Sequence, residues 1–129
     1  MTQKDKQLLL KDLCARVPYG VRYRHFGCDD KRGEECISAK IYSISPDGYV
    51  RNYHKDESDY IDNVRPYLFP FSSMTEKQKN EYQYITERWM NDPAYSISDS
   101  TDWLNENHFD YRNLIEQGLS IDATGLNIY

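Results

Sequence analysis

A chain of 129 residues has the length of one domain and leaves no room for two independent cores. Its 39% hydrophobic content, with twelve Tyr, four Phe and two Trp, supplies enough apolar surface to offset chain entropy, which excludes a disordered chain. The net charge of −5 argues against nucleic-acid binding by the whole surface, but residues 1–55 carry eleven basic against seven acidic side chains and residues 56–129 five against fourteen.

Thr2 followed by Asp5 has the form of a helix cap, and Leu9, Leu10, Leu13, Cys14 and Val17 recur at helical spacing, which predicts a helix over 3–15 stopped by Pro18. From Tyr19 to His54 the pattern turns to alternation of β-branched and aromatic residues, in three stretches that read as strands: 19–26, 36–44 and 49–54. Ser45-Pro46-Asp47-Gly48-Tyr49 has the chemistry of a three-residue hairpin loop. It predicts a register with Ser45 opposite Tyr49, Ile41 opposite Tyr53 and Lys40 opposite His54. One face then carries Val21, Tyr23, Ile37, Ala39, Ile41 and Tyr53 against the helices, and the other carries Arg22, Arg24, Lys40, Tyr42, Asn52 and His54.

Residues 56–74 read as irregular, with a short helical turn expected at Ser58 to Val64 and then the apolar run Tyr67-Leu68-Phe69-Pro70-Phe71. Thr75 to Gln78 is a capping box, and Tyr82, Ile85 and Trp89 form the stripe of a helix over 76–90. Ser100 or Thr101 is expected to cap a short helix with Trp103 and Leu104, and Asp110 a further one with Leu114 and Ile115. That last helix would close at Gly118 with Leu119 folded back on Leu114. The last ten residues lack periodicity. The predicted fold is therefore α+β in one domain over 1–129: an N-terminal helix, a three-stranded antiparallel meander, then about three helices packed mainly on one sheet face.

No apolar run approaches the roughly 20 residues that span a bilayer, and the N-terminal leucines are too few for a secretory signal. Three cysteines, an odd and sparse set, suit a reducing compartment, so the expectation is a cytoplasmic protein without a membrane span.

The segments Ile61-Asp62-Asn63-Val64-Arg65-Pro66-Tyr67-Leu68-Phe69-Pro70, Ser72-Ser73-Met74-Thr75 and Trp103-Leu104-Asn105-Glu106-Asn107-His108-Phe109-Asp110-Tyr111-Arg112 resemble a family of small uncharacterised proteins of Bacteroides-type gut bacteria and their mobile elements. The resemblance covers most of the second half. It implies a bacterial intracellular protein and no catalytic residue.

Chemistry-bearing residues are few. His25, Cys28, Cys36 and His54 are metal-ligating types, but His25 and Cys28 point to opposite strand faces and no C-x₂-C or H-x₃₋₅-H pair is present, so no metal or other cofactor is expected. The loop Asp29 to Glu35 mixes four carboxylates with two cations and reads as a solvated charge run. His108, with Asp102, Glu106 and Asp110 near it in sequence, offers general acid/base chemistry for a small hydrolase, yet helix capping accounts for Asp110 and no nucleophile motif accompanies it. No catalytic residue is assigned.

Two binding surfaces remain. Tyr67, Phe69, Phe71, Trp103 and Tyr111 are amphipathic aromatics of a kind that fills cores or forms interface centres; the 67–71 run suits either role, and in the second the set predicts a non-enzymatic interaction or regulatory module with a protein partner or a second copy. Tyr84 and Tyr95 add to the same inventory. Arg22, Arg24, Lys40 and Tyr42 on the wet sheet face are the alternative, a basic surface with an aromatic platform for nucleic acid.

Overall fold

A computed structural model describes residues 1–24, 38–53, 58–91 and 97–129. His25, Cys28, Cys36, His54, Ile37, Tyr95 and the loop 29–35 lie outside the described residues, as do the side chain of Trp89 and the wider hairpin expected between Cys28 and Cys36.

The first helix, α1 (Gln3–Arg16), is set by its cap. The Thr2 hydroxyl accepts the Asp5 N–H at 3.1 Å, and the Asp5 carboxylate accepts the Thr2 N–H at 3.3 Å, which satisfies two otherwise unpaired donors of the first turn. Pro18 opens a 3₁₀ turn over Val17–Tyr19 that ends the helix. The buried stripe is Leu9, Asp12, Leu13 and Arg16, whereas Cys14 is exposed and Leu10 and Val17 are only half-buried. Hydrophobic periodicity could not reveal this stripe, because two of its four members are charged.

Those two pay their desolvation by pairing. Arg16 Nε donates to Asp12 at 2.8 Å with both side chains fully buried, Arg112 Nε donates to the other Asp12 oxygen at 3.1 Å, and Arg16 Nη2 donates to the Phe109 carbonyl at 2.6 Å. Removing one partner of such a buried pair typically costs about 3–5 kcal/mol.

Among the described residues the sheet has six strands in the order β4-β3-β2-β1-β5-β6. They are β1 (Arg22–Arg24), β2 (Ala39–Ile44), β3 (Tyr49–Asn52), β4 (Ser58–Tyr60), β5 (Arg65–Leu68) and β6 (Ile121–Asp122). All neighbours are antiparallel except β5 and β6. The expected β1-β2-β3 order is contained in it, but the segment expected to be irregular supplies β4 and β5, and the aperiodic C-terminal stretch supplies β6.

The hairpin loop forms where expected: Ser45 N–H donates to the Tyr49 carbonyl at 2.8 Å, and Gly48 sits at φ +94, a conformation that side chains rarely adopt. The register beyond it differs from expectation. Ile44 pairs with Val50 and Ser43 with Arg51, but Ile41 pairs with Asn52 rather than Tyr53, because a bulge at Tyr42 shifts the ladder by one. Tyr53 N–H then bonds to the Lys40 carbonyl at 3.1 Å.

Such a slip exchanges faces. Asn52 turns inward, where its amide donates to the Tyr23 hydroxyl at 2.8 Å, and Tyr23 in turn donates to Asp59. Tyr53 turns outward. Burial, with the Asp59 carboxylate, raises the Tyr23 phenol far above its ordinary pKa, so it remains a donor at every working pH.

The main core lies between α1 and the inner sheet face, with Leu9 and Leu13 against Val21, Tyr23, Ile41, Val50 and Leu68. Each fully buried leucine there contributes roughly 1.5–3 kcal/mol. Helices α2 (Glu76–Asn91) and α3 (Ile97–Glu106) pack chiefly on each other around a second cluster, Trp103, Leu104 and Phe109, rather than over the sheet. The expected capping box of α2 is present, with reciprocal Thr75 and Gln78 bonds of 3.1 and 2.9 Å. Helix α3 begins before Ser100 and Thr101, which lie inside it.

A third helix after these is not formed. Asp110 caps the Leu114 and Ile115 amides at 2.9 Å each, but residues 114–118 are turns closed by Gly118 at φ +74 and by a Leu119 to Leu114 bond of 2.9 Å. Among the described residues no helix is long and apolar enough to cross a membrane.

Candidate nucleic-acid interface

With α1 on the inner face and α2 and α3 packed chiefly on each other, none of the described helices covers the outer face of β1–β4. Alternation along each strand decides what it presents. From β1 come Arg22 and Arg24, from β2 Lys40, Tyr42 and Ser43, from β3 Tyr49 and Arg51, and from β4 Ser58. Tyr53 follows β3 on the same side. Because the bulge places two successive residues on one side, Tyr42 and Ser43 both face outward.

Three tyrosines stand open here, Tyr42 at 56%, Tyr49 at 46% and Tyr53 at 65% exposure. The Tyr42 and Tyr53 rings meet edge to face at 5.1 Å, and the Lys40 ammonium lies 5.4 Å from the Tyr53 centroid. Tyr49 leans on Tyr60 of β4 at 5.3 Å. Arg24, Lys40 and Arg51 are exposed, and half-buried Arg22 is held by a 3.0 Å bond from Nε to Ser38. Among the described outward residues of β1–β4 no carboxylate interrupts these four cations. A recess of about 350 Å³ opens at one end, lined by Ser43, Ile44, Ser45, Tyr49, Arg51 and Ser58.

Of the residues singled out from sequence for nucleic acid, Arg22, Arg24, Lys40 and Tyr42 all lie on this face. Tyr53 was assigned to the packed face and Asn52 to the wet one, an exchange that follows from the bulge. Tyr49, Arg51, Ser43 and Ser58 were missed; the alternation Tyr49-Val50-Arg51 carried the signal for two of them.

The aromatic set named for a protein partner is dispersed and mostly interior. Tyr67 is 4% exposed on β5, and Trp103, 9% exposed, stacks between Tyr82 at 5.5 Å and Phe109 at 5.6 Å. Phe69 and Tyr111 are half-buried against the same cluster, which leaves Phe71, 42% exposed, as the one open ring of the five. Tyr84 is exposed beside a smaller groove of about 250 Å³ between α2 and α3, where Asp102 and Glu106 also lie.

His108 sits elsewhere, at φ +63 and buried, with its ring stacked on Tyr129 at 3.6 Å. Among the described residues its Nδ1 has no hydrogen-bond partner. Burial, reinforced by the Arg16 cation, lowers its pKa to about 4, so the ring is neutral near pH 7. The Tyr129 hydroxyl accepts the Arg22 N–H at 2.9 Å and donates to the Tyr67 carbonyl at 2.7 Å, and burial pushes its own pKa up to about 12. This arrangement holds a tail in place and aims no base at an open cleft. Among the described residues no three His, Cys, Asp or Glu side chains converge as metal ligands would.

Comparison with protein-family models, with curated proteins and with solved structures returns no match. The reading of this face therefore rests on its own geometry.

Proposed function

We propose that the protein is a non-enzymatic binding module for single-stranded nucleic acid and that the open face of β1–β4 is its binding surface. The observation that carries the reading is the interleaving of three exposed tyrosines with four cations on a face free of carboxylates among its described residues. Base-on-ring stacking contributes about 1–3 kcal/mol per base and demands unpaired bases, which is why a single strand suits the face better than a duplex. Guanidinium and ammonium groups beside the rings supply the sequence-independent attraction to phosphate. The acidic remainder of the chain repels the polymer and so favours approach by this side. A bacterial intracellular setting, implied by the resemblance of the second half, offers such strands.

The expectation of a protein partner at Tyr67, Phe69, Phe71, Trp103 and Tyr111 has weaker support, since those rings mostly fill the interior. The hydrolase reading centred on His108 has less still, because its ring is neutral, buried and stacked.

Fluorescence anisotropy with a labelled mixed-sequence oligonucleotide at low salt tests the proposal. Binding should weaken linearly on a log–log salt plot with a slope near −2, as about three neutralised phosphates give for a single strand. A Tyr42→Ala, Tyr53→Ala variant should bind at least tenfold more weakly while unfolding at an unchanged temperature. No binding by the parent protein at low salt would end the proposal.

A further inference from the structure

The recess at the end of the open face has an internal order. Ser43 of β2, Arg51 of β3 and Ser58 of β4 are direct cross-strand neighbours, so a guanidinium stands between two hydroxyls in one row. Adjacent strands are about 4.8 Å apart, which makes the row roughly 10 Å long. Ser45 and Asp47, by contrast, spend their side chains on each other within the hairpin loop. Among the described residues the side chains of Ser43, Arg51 and Ser58 make no hydrogen bond or ion pair, and all three line the recess of about 350 Å³. Tyr49 precedes Arg51 by two positions and Tyr53 follows it by two, so an aromatic ring flanks the row on either side at about 7 Å along the strand.

We infer that the Ser43–Arg51–Ser58 row is a seat for one phosphate group, and that the ligand of the open face is a strand whose phosphodiester rests there with its two flanking bases on Tyr49 and on the Tyr42–Tyr53 pair. The inference rests on the function proposed above and specifies it. A planar guanidinium presents paired N–H donors that match two phosphate oxygens, and a flanking hydroxyl on each side donates to what remains. Arg24 and Lys40 contribute charge further along the face. In the row a cation stands between two hydroxyls that have no partner among the described residues, at the edge of a recess. The same chemistry would admit a free nucleotide, and the experiment separates the two sources.

The test compares salt slopes. For a labelled single-stranded octanucleotide, Arg51→Gln should lower affinity about tenfold at low salt and reduce the slope by about 0.7, the share of one phosphate. Ser43→Ala with Ser58→Ala should lower it about threefold, whereas Tyr53→Ala should weaken binding with its slope unchanged. All four positions face solvent, and equal melting temperatures would show that the variants fold. Binding by the parent protein with an Arg51→Gln slope equal to the parent's would overturn the seat while leaving the open-face reading intact. If the parent binds no oligonucleotide, that reading falls, and the seat is judged by titrating a nucleoside monophosphate and following the Arg51 Nε–H resonance. A saturable shift there would assign the row to a free nucleotide, and its absence would overturn the seat as well.

Discussion

At the scale of single residues, His108 couples the fold to acidity. A free imidazole titrates near 6.5 and His108 near 4, so between those values the unfolded chain binds a proton that the folded chain refuses. Stability from this group is complete above pH 6.5 and is lost as the pH falls toward 4, by up to roughly 3 kcal/mol at about 1.4 kcal/mol per unit. Asparagine tolerates the positive φ of the site and does not titrate there. Urea midpoints at pH 7, 5.5 and 4 should therefore fall more steeply for the parent than for His108→Asn, and parallel curves would show that the imidazole does not govern the loss. Sequence gave no warning of this environment, since the partners arrive from α1 and from residue 129. Asp12 and Arg16 were equally hidden: a charged pair at helical spacing ordinarily faces solvent, and its burial here is supported by Arg112, the Phe109 carbonyl and the Tyr111 ring, none of them near it in sequence.

Local signals were legible wherever one short stretch decided the outcome. The Thr2 and Thr75 caps, the Pro46-Asp47-Gly48 reversal and the Gly118 closure all depend on a few adjacent residues, and all form. Strands β4, β5 and β6 were not legible, because two to four residues carry too little alternation and because Pro66 speaks against a ladder. Pro66 is accommodated at the end of the β1–β5 pairing, opposite Tyr23. The bulge at Tyr42 was the costliest omission, since it alone decides whether Tyr53 or Asn52 is presented. It also makes an unusual prediction. Deleting Tyr42 should restore a regular ladder with Ile41 and Ile44 still inward, at a cost of about 1–2 kcal/mol or less. Deleting Arg51 should instead turn Asn52 out and Tyr53 in, and abolish cooperative unfolding. Chemical denaturation followed by tryptophan fluorescence distinguishes them, and equal damage by both deletions would count against the assigned pairing.

For the molecule as a whole, the sequence announced two charge-opposed halves, and the fold joins them: β4 and β5 of the second half pair with β3 and β1 of the first, and the Lys6 ammonium meets Asp62 at 3.4 Å. The outer face of β1–β4 presents the exposed Tyr42, Tyr49 and Tyr53 beside its cations, while α3 carries Asp102 and Glu106 into the groove beside α2. Carboxylates farther than the Debye length of about 8–10 Å from a bound strand act on approach more than on the complex. An Asp102→Asn, Glu106→Gln variant, with net charge raised from −5 to −3, should associate with an oligonucleotide up to about threefold faster at low ionic strength and at the parent's rate near 0.15 M. Stopped-flow association rates check this, and a loss of binding would place the contact in the α2–α3 groove instead.

The Tyr129 phenol occupies a position where an antiparallel ladder would ordinarily continue, joining the Arg22 amide to the Tyr67 carbonyl while its ring covers His108. The seam between two central strands is thus fastened by a latch of a single oxygen atom. Anything esterified to that oxygen would remove its donation to the Tyr67 carbonyl and disturb the ring over His108, while the Tyr23–Pro66 and Arg24–Arg65 pairs still join the two strands.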